Sequence, residues 1–193
     1  MKLTRLCLLL TLSVVAGSSA QAQSKTYPKT RRLLLKAERA HANDAFKKLF
    51  REGDTRREDL IHALYDSDEN VSLNAQTVLK YLADEQSLAA VEEWYTFRRQ
   101  RGENYWESPI TLVSDVKYLG REGSNPEKLV LENLYSNYKD TPVSVTIIAY
   151  NKRLETALIE VIIGQIFTSG EHVVVREENG KWRLISKTHI WDS

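Results

Sequence analysis

The chain has 193 residues, with 27 Lys and Arg, 26 Asp and Glu, and a formal charge of +1 at pH 7. So even a balance predicts no general attraction to nucleic acid or to anionic membrane surfaces. The one cysteine, Cys7, excludes a disulfide framework and a multi-thiolate metal site within the chain.

Lys2 and Arg5 precede an uncharged, mostly apolar stretch from Leu6 to Ala16. Gly17, Ser18, Ser19 and Ala20-Gln21-Ala22 follow. A basic start, about ten apolar residues and a small-x-small site form the layout of a secretory signal peptide. The stretch has about half the twenty or so residues that a membrane-crossing helix needs. The expectation is a signal peptide over 1–22 and a mature chain from near Gln23. That chain would be periplasmic or extracellular, with no transmembrane span. Cys7 lies too early to be a lipoprotein cysteine. The remaining 171 residues (193 less the first 22) carry 25 basic and 26 acidic groups and no thiol. Burial of apolar surface alone must hold such a chain together.

Residues 23–100 read as helical. Between 30 and 51, Leu33, Leu34, Ala37, Ala40, Ala45, Phe46, Leu49 and Phe50 recur at helical spacing among Lys and Arg, and Gly53 ends the segment. The basic residues here form a solvated flank or, less economically, a face for an anionic partner. Thr55-Arg56-Arg57-Glu58 has capping-box spacing and predicts a helix from Arg56 to Tyr65. Asp66 to Asn70 breaks it. A helix over Val71–Ala83 follows, then one capped by Asp84 and running to Arg99. Asp66, Asp68 and Asn70 match the first ligand positions of a calcium loop. Val71 and Thr77 stand where its glycine and bidentate glutamate belong, so capping is the better account of the acids. Asn70-Val71-Ser72 is a glycosylation sequon.

The pattern Leu60-Ile61-x-x-Leu64, the Asp66-x-Asp68 turn, and Val71-x-x-x-Ala75-x-x-x-Leu79-x-x-Leu82 resembles one HEAT-type helical repeat. That resemblance implies an antiparallel helix pair packed through its apolar faces. Ser72 stands where the family has arginine, and no second full repeat follows in register. A small helical bundle remains the alternative.

Residues 101–193 read as an α+β region. Pro109–Val116 has strand character and Gly120–Asn125 is a loop. Asn125-Pro126-Glu127 opens an apolar helix containing Leu129, Val130, Leu131, Leu134, Tyr135 and Tyr138, with Thr141-Pro142 as its stop. Strands are then expected at Val143–Tyr150, Thr156–Ile163, His172–Glu177 and Lys181–Trp191. Asn179-Gly180 is the two-residue turn of the last hairpin. An unbroken register from that turn sets Val175 against Leu184, Val174 against Ile185 and His172 against Lys187. An antiparallel meander packed on a helix makes the whole chain α+β, whether as two regions or as one integrated domain.

The ending Glu178-Asn179-Gly180-Lys181-Trp182-Arg183-Leu184-Ile185-Ser186, closing on Ile190-Trp191, resembles the last hairpin of the cone-shaped fold named for nuclear transport factor two. That family packs helices on a curved sheet and leaves a pocket, used by enzymes and by binding proteins alike.

The four histidines are His41, His62, His172 and His189. None has metal-ligand spacing. The straight register brings His172 and His189 diagonally together on one sheet face, which makes them the candidates for a general base. There is no nucleophile elbow, phosphate-binding glycine loop or cofactor motif, so no metal and no cofactor is expected. Trp94, Tyr95, Arg98, Tyr105 and Trp106 form the densest aromatic–arginine cluster. With Trp182 they are the candidate ligand-binding residues, because stacking and charge-assisted hydrogen bonds suit sugars, peptides and acidic groups. The function expected is an exported soluble module that binds a small molecule, a peptide or an envelope protein. The alternative is a small pocket enzyme of hydratase or isomerase type.

Overall fold

The structure, a computed structural model, describes residues 26–39, 42–103, 111–121, 125–165 and 168–192. The expected signal peptide, His41, Tyr105, Trp106 and the start of the strand expected at Pro109 lie outside the described residues. The elements run α1 (Tyr27–Lys36), α2 (Asp44–Arg51), α3 (Arg57–Ala63), α4 (Glu69–Leu82), α5 (Glu85–Gln100), β1 (Thr111–Arg121), α6 (Pro126–Leu134), β2 (Val143–Asn151), β3 (Thr156–Ile163), β4 (Ser169–Glu178) and β5 (Lys181–Asp192). Helices first and an antiparallel sheet afterwards is the α+β arrangement that the sequence predicts. Among the described residues no helix is long and apolar enough to cross a membrane.

Short-range chemistry sets most helix starts. Asp68 accepts from the Asn70 and Val71 amides, Asp84 from Ser87 and Asn125 from Glu127, each satisfying donors that the first helical turn leaves open. Asn43 accepts from the Phe46 amide in the same way. The stripe over 30–51 is therefore two helices rather than one. Ala37 turns extended after α1, and Asn43 also donates to the Lys36 carbonyl across the break. The capping box at Thr55 does not form, because the Thr55 hydroxyl donates back to Glu52 O and Arg56 takes the cap position. Asp66 is no cap either. Arg31 grips it with two hydrogen bonds and Tyr27 adds a third, which ties α1 to the turn before α4. Burial pushes this carboxyl up, but the bonds from Arg31, Tyr27 and the Asp68 amide outweigh burial and hold it down to about 2.

The strands form one antiparallel sheet in the order β1-β5-β4-β3-β2. Asn179 and Gly180 both have positive φ, as the tight turn between β4 and β5 requires. Glu178 faces Lys181, Arg176 faces Arg183 and Val175 faces Leu184, as the straight register predicts. Beyond that point the prediction fails. Ile185 is bulged out of the ladder, so Val174 faces Ser186 and His172 faces Thr188, not Lys187. A second irregularity at Ile190 leaves His189 against Glu171 and Trp191 against Gly170. A bulge adds one residue to one strand only, so it displaces everything beyond it by one position.

α6 bridges the two edges of the sheet. Asn133 Nδ2 donates to Leu119 O on the β1 edge at 3.1 Å, while Glu127 Oε1 accepts from the Ile147 amide on the β2 edge at 2.7 Å. One helix thus ties both edges of the sheet, whose strands β1, β2 and β5 also carry register shifts of the bulge kind. Leu129, Val130 and Tyr135 join Ile159, Val173, Val175, Trp182 and Leu184 in the core on this face. α6 ends at Leu134, earlier than its apolar pattern suggests, and Tyr135 turns inward just after it.

The five preceding helices cover the other face. Phe46, Leu49, Phe50, Val78, Leu79, Tyr81 and Trp94 pack in one core with Ala149, Leu158, Val174 and Ile185 of the sheet. Polar ties fix this layer. Asn151 Nδ2 donates to Phe50 O, and Arg176 donates to Leu82 O and to Thr156. With both faces covered, apolar residues alternate to both sides along β3 and β4, which is why these strands read as continuous Val/Ile/Leu runs.

Candidate functional site

The aromatic–arginine cluster expected to bind ligand is divided by the sheet. Trp94 and Tyr95 are buried in the helical core, 2% and 6% exposed. Their rings lie 5.2 Å apart, and Gln76 donates to the Tyr95 hydroxyl at 2.7 Å. Arg98 lies over the Trp94 ring and pairs with Glu103 at 3.0 Å. Trp182 belongs to the core on the opposite, α6-bearing face. A pocket shared by Trp94, Tyr95 and Trp182 is therefore corrected: the sheet stands between them. Tyr105 and Trp106 lie outside the described residues.

The two histidines are also separated. The bulge at Ile185 turns His189 to the α6 side beside Glu171, where its Nε2 lies 3.1 Å from Asp192 in an exposed pair. Glu171 itself is held by Tyr135 and by Lys187, whose ammonium also sits 4.6 Å from the Tyr135 ring centroid. Burial and the neighbouring Glu171 push the Tyr135 phenol well above its ordinary range. The expected diagonal pairing of His172 with His189 is overturned.

His172 faces the helices instead, 1% exposed. Its Nδ1 lies 3.0 Å from the Tyr81 hydroxyl, and the Phe46 ring stacks at 6.3 Å. Its Nε2 has no hydrogen bond, nor do the hydroxyls of Ser186 and Thr188, which are likewise buried. Cross-strand pairing puts Thr188 opposite His172 and Ser186 one row further along, so these polar atoms share one patch of the sheet. Burial lowers the His172 pKa to about 4. Burial likewise raises Tyr81 above the ordinary phenol range. The Thr188 hydroxyl opposes that rise, although its geometry falls short of a hydrogen bond.

A third group of residues, on the surface, was not visible in the sequence. A cleft of about 300 Å³ opens where the start of α3 meets the start of α1 and α5. Its wall includes Thr26, Asp54, Arg57, Glu58, Asp59 and Gln86. Asp59 is 2% exposed. Its Oδ2 accepts from Thr26 at 2.6 Å and from Thr30 at 2.7 Å, while Oδ1 has no partner. Arg57 spends its terminal nitrogens on Asp84 at 3.2 Å and Gln86 at 3.4 Å, and its buried Nε is unpartnered. An adjoining cleft of about 260 Å³ shares Asp54 and Thr55 and adds Arg51, Tyr150, Lys152 and Arg153. Asp54 joins the two, accepting from Asn151 at 3.2 Å and pairing with Arg153 at 3.4 Å.

Buried polar atoms in folded proteins nearly always have a partner; Asp59 Oδ1 and Arg57 Nε have none, and both are closed to solvent rather than open to the cleft. Among the described residues no group of three or more His, Asp and Glu is arranged to hold a metal ion. No family model, curated protein or solved structure matches the chain.

Proposed function

We propose that this protein is an exported module that binds a small polar ligand in the cleft at the start of α3. The carrying observation is the wall itself: an open cleft lined by Asp54, Arg57, Glu58 and Asp59, charged side chains of both signs around one space. The cleft volume sits at the lower end of the range of small-molecule sites. Export rests on the Lys2–Ala22 segment. The test is fragment screening by ¹⁵N NMR with small cationic, anionic and neutral polar compounds. Expected are saturable shifts confined to residues 54–59 and 84–87. Shifts that scatter over the surface, or none at millimolar fragment, would reject the assignment.

A second reading, the pocket enzyme, is favoured by the His172–Tyr81 pair beside the unpartnered Ser186 and Thr188 hydroxyls. A histidine with a pKa near 4 is a weak base at neutral pH, and general-base efficiency is greatest when the pKa lies near the working pH. The binding reading therefore ranks first.

A further inference from the structure

We infer that the outer stripe of α1, continued by that of α2, docks on the surface of an anionic lipid bilayer. The inference stands apart from the cleft and does not use it. In α1, Tyr27, Thr30 and Leu34 are buried, while Lys29, Arg32, Leu35 and Lys36 are exposed. At 3.6 residues per turn, Arg32 lies near the middle of the exposed side. Lys29 and Lys36 fall within about 60° of it, and Leu35 flanks it by a similar angle on the other side. The remaining cation of the helix, Arg31, is turned away to Asp66. α2 repeats the plan. Phe46, Leu49 and Phe50 are buried, while Lys48 and Arg51 are exposed with Lys47 half-buried and Asp44 as the one acid of the helix. Asn43 joins the two helices, capping α2 and donating to Lys36 O.

The lack of acids sets the α1 stripe apart. α5, α6 and the last hairpin match cations with acids, as in Arg99–Glu92 at 2.9 Å, Lys128–Glu132 at 3.7 Å and Arg183–Glu178 at 3.2 Å. Lys29, Arg32 and Lys36 have no ion pair among the described residues, and α1 contains no acid. A helix start favours a negative charge. Here Asp59 of α3 supplies it from beneath, through Thr26 and Thr30, so the outer surface needs none. The whole chain is close to neutral, so the positive face comes from arrangement and not from excess. Leu35 selects a bilayer over a soluble polyanion. It is 46% exposed within the basic stripe. A polyanion in water gives a leucine nothing to bury against. A bilayer surface takes it into the acyl boundary while Lys and Arg stay at the phosphates. Export, as proposed from Lys2–Ala22, brings the chain to such a surface.

The test is cosedimentation with vesicles of phosphatidylcholine, alone or with about 30% phosphatidylglycerol to supply the anionic charge. The protein is the chain from Gln23, which holds every described element. Binding to the anionic vesicles is expected to be at least about tenfold tighter than to neutral ones, and to be lost as ionic strength rises from about 0.05 to 0.5 M. Arg32→Gln should weaken it about fivefold, the contribution of one basic residue near a charged bilayer. Lys29→Gln, Arg32→Gln and Lys36→Gln together should abolish it. Lys128→Gln, on α6 across the sheet, should leave it unchanged. These positions are all exposed, so the core is undisturbed, and circular dichroism checks it. The chain from Gln23 has no cysteine, so Leu35→Cys and Lys128→Cys each offer one site for a polarity-sensitive dye. The dye at position 35 should shift to the blue on anionic vesicles, and the dye at position 128 should not. No binding, equal binding to neutral and anionic vesicles, an equal loss with Lys128→Gln and Arg32→Gln, or no blue shift at position 35 overturns the inference. So does soluble polyphosphate that binds as tightly as the vesicles and is indifferent to Leu35→Ser, which would make the face a polyanion site. None of these outcomes bears on the cleft.

Discussion

His172 shows how one residue couples packing to pH. Its pKa is about 4 in the folded protein against an ordinary 6.5, because the ring is buried between Phe46, Tyr81 and the sheet. The folded state therefore gives up the proton that the unfolded state keeps. Between pH 6.5 and about 4 the unfolded chain binds more protons, so stability is complete above 6.5 and falls as the pH drops through that window. The loss amounts to about 3 kcal/mol at roughly 1.4 kcal/mol per pH unit. Urea unfolding at pH 7.5 and 4.5 should show that difference in the wild type and little of it in His172→Gln. An equal difference in both would assign the effect elsewhere. Asp66 acts lower, its stabilising contribution being lost only as the pH falls from 3.8 towards 2.

His172 stood out in the sequence because histidines are few, but its surroundings did not. Ser186 and Thr188 join it only because Ile185 is bulged, and nothing in Arg183-Leu184-Ile185-Ser186 announces a bulge. Asp59 carries no signal of its own in the sequence. Its burial comes from Thr26 and Thr30, some thirty residues away, and that kind of contact leaves no periodic trace.

Elements whose signals are local were legible. β3 spans the predicted Thr156–Ile163, Asp84 starts α5, and the Asn179-Gly180 turn sets the first pairs of its hairpin. The break between α1 and α2 and the short reach of α6 were not legible, because both depend on what the helix packs against. α6 is the element that ties the two sheet edges. Its Glu127 takes the Ile147 amide, an edge donor with no strand beyond it. Glu127→Ala leaves that donor without its carboxylate and should cost about 1–2 kcal/mol, the usual consequence of removing a charged acceptor from a half-buried amide. Faster hydrogen exchange at Ile147 in the alanine variant, restored in Glu127→Gln, is the check. An unchanged Ile147 rate would mean that Glu127 does not hold the edge.

At the scale of the molecule, one sheet serves two cores. The helical layer and α6 lean on opposite sides of the same strands, so losing the sheet costs both. The export expectation also belongs to this scale. Cleavage after Ala22 would leave every described element intact, including Tyr27 and Thr30, which reach Asp66 and Asp59. Intact-mass measurement on protein recovered from outside the cytoplasm should give a chain starting within a few residues of Gln23. A full-length mass there would mean that the leader is retained.

The strand order has a consequence in time. β5 is the last of the described strands in chain order, yet it lies between β1 and β4 and pairs with both. A chain emerging amino terminus first can form its helical layer early, and the β2–β3–β4 meander soon after. β1 must wait unpaired until Lys181–Lys187 of β5 have left the ribosome or pore. Loss of Lys181–Lys187 would leave β1 without its partner strand and open the β4 edge at the same time.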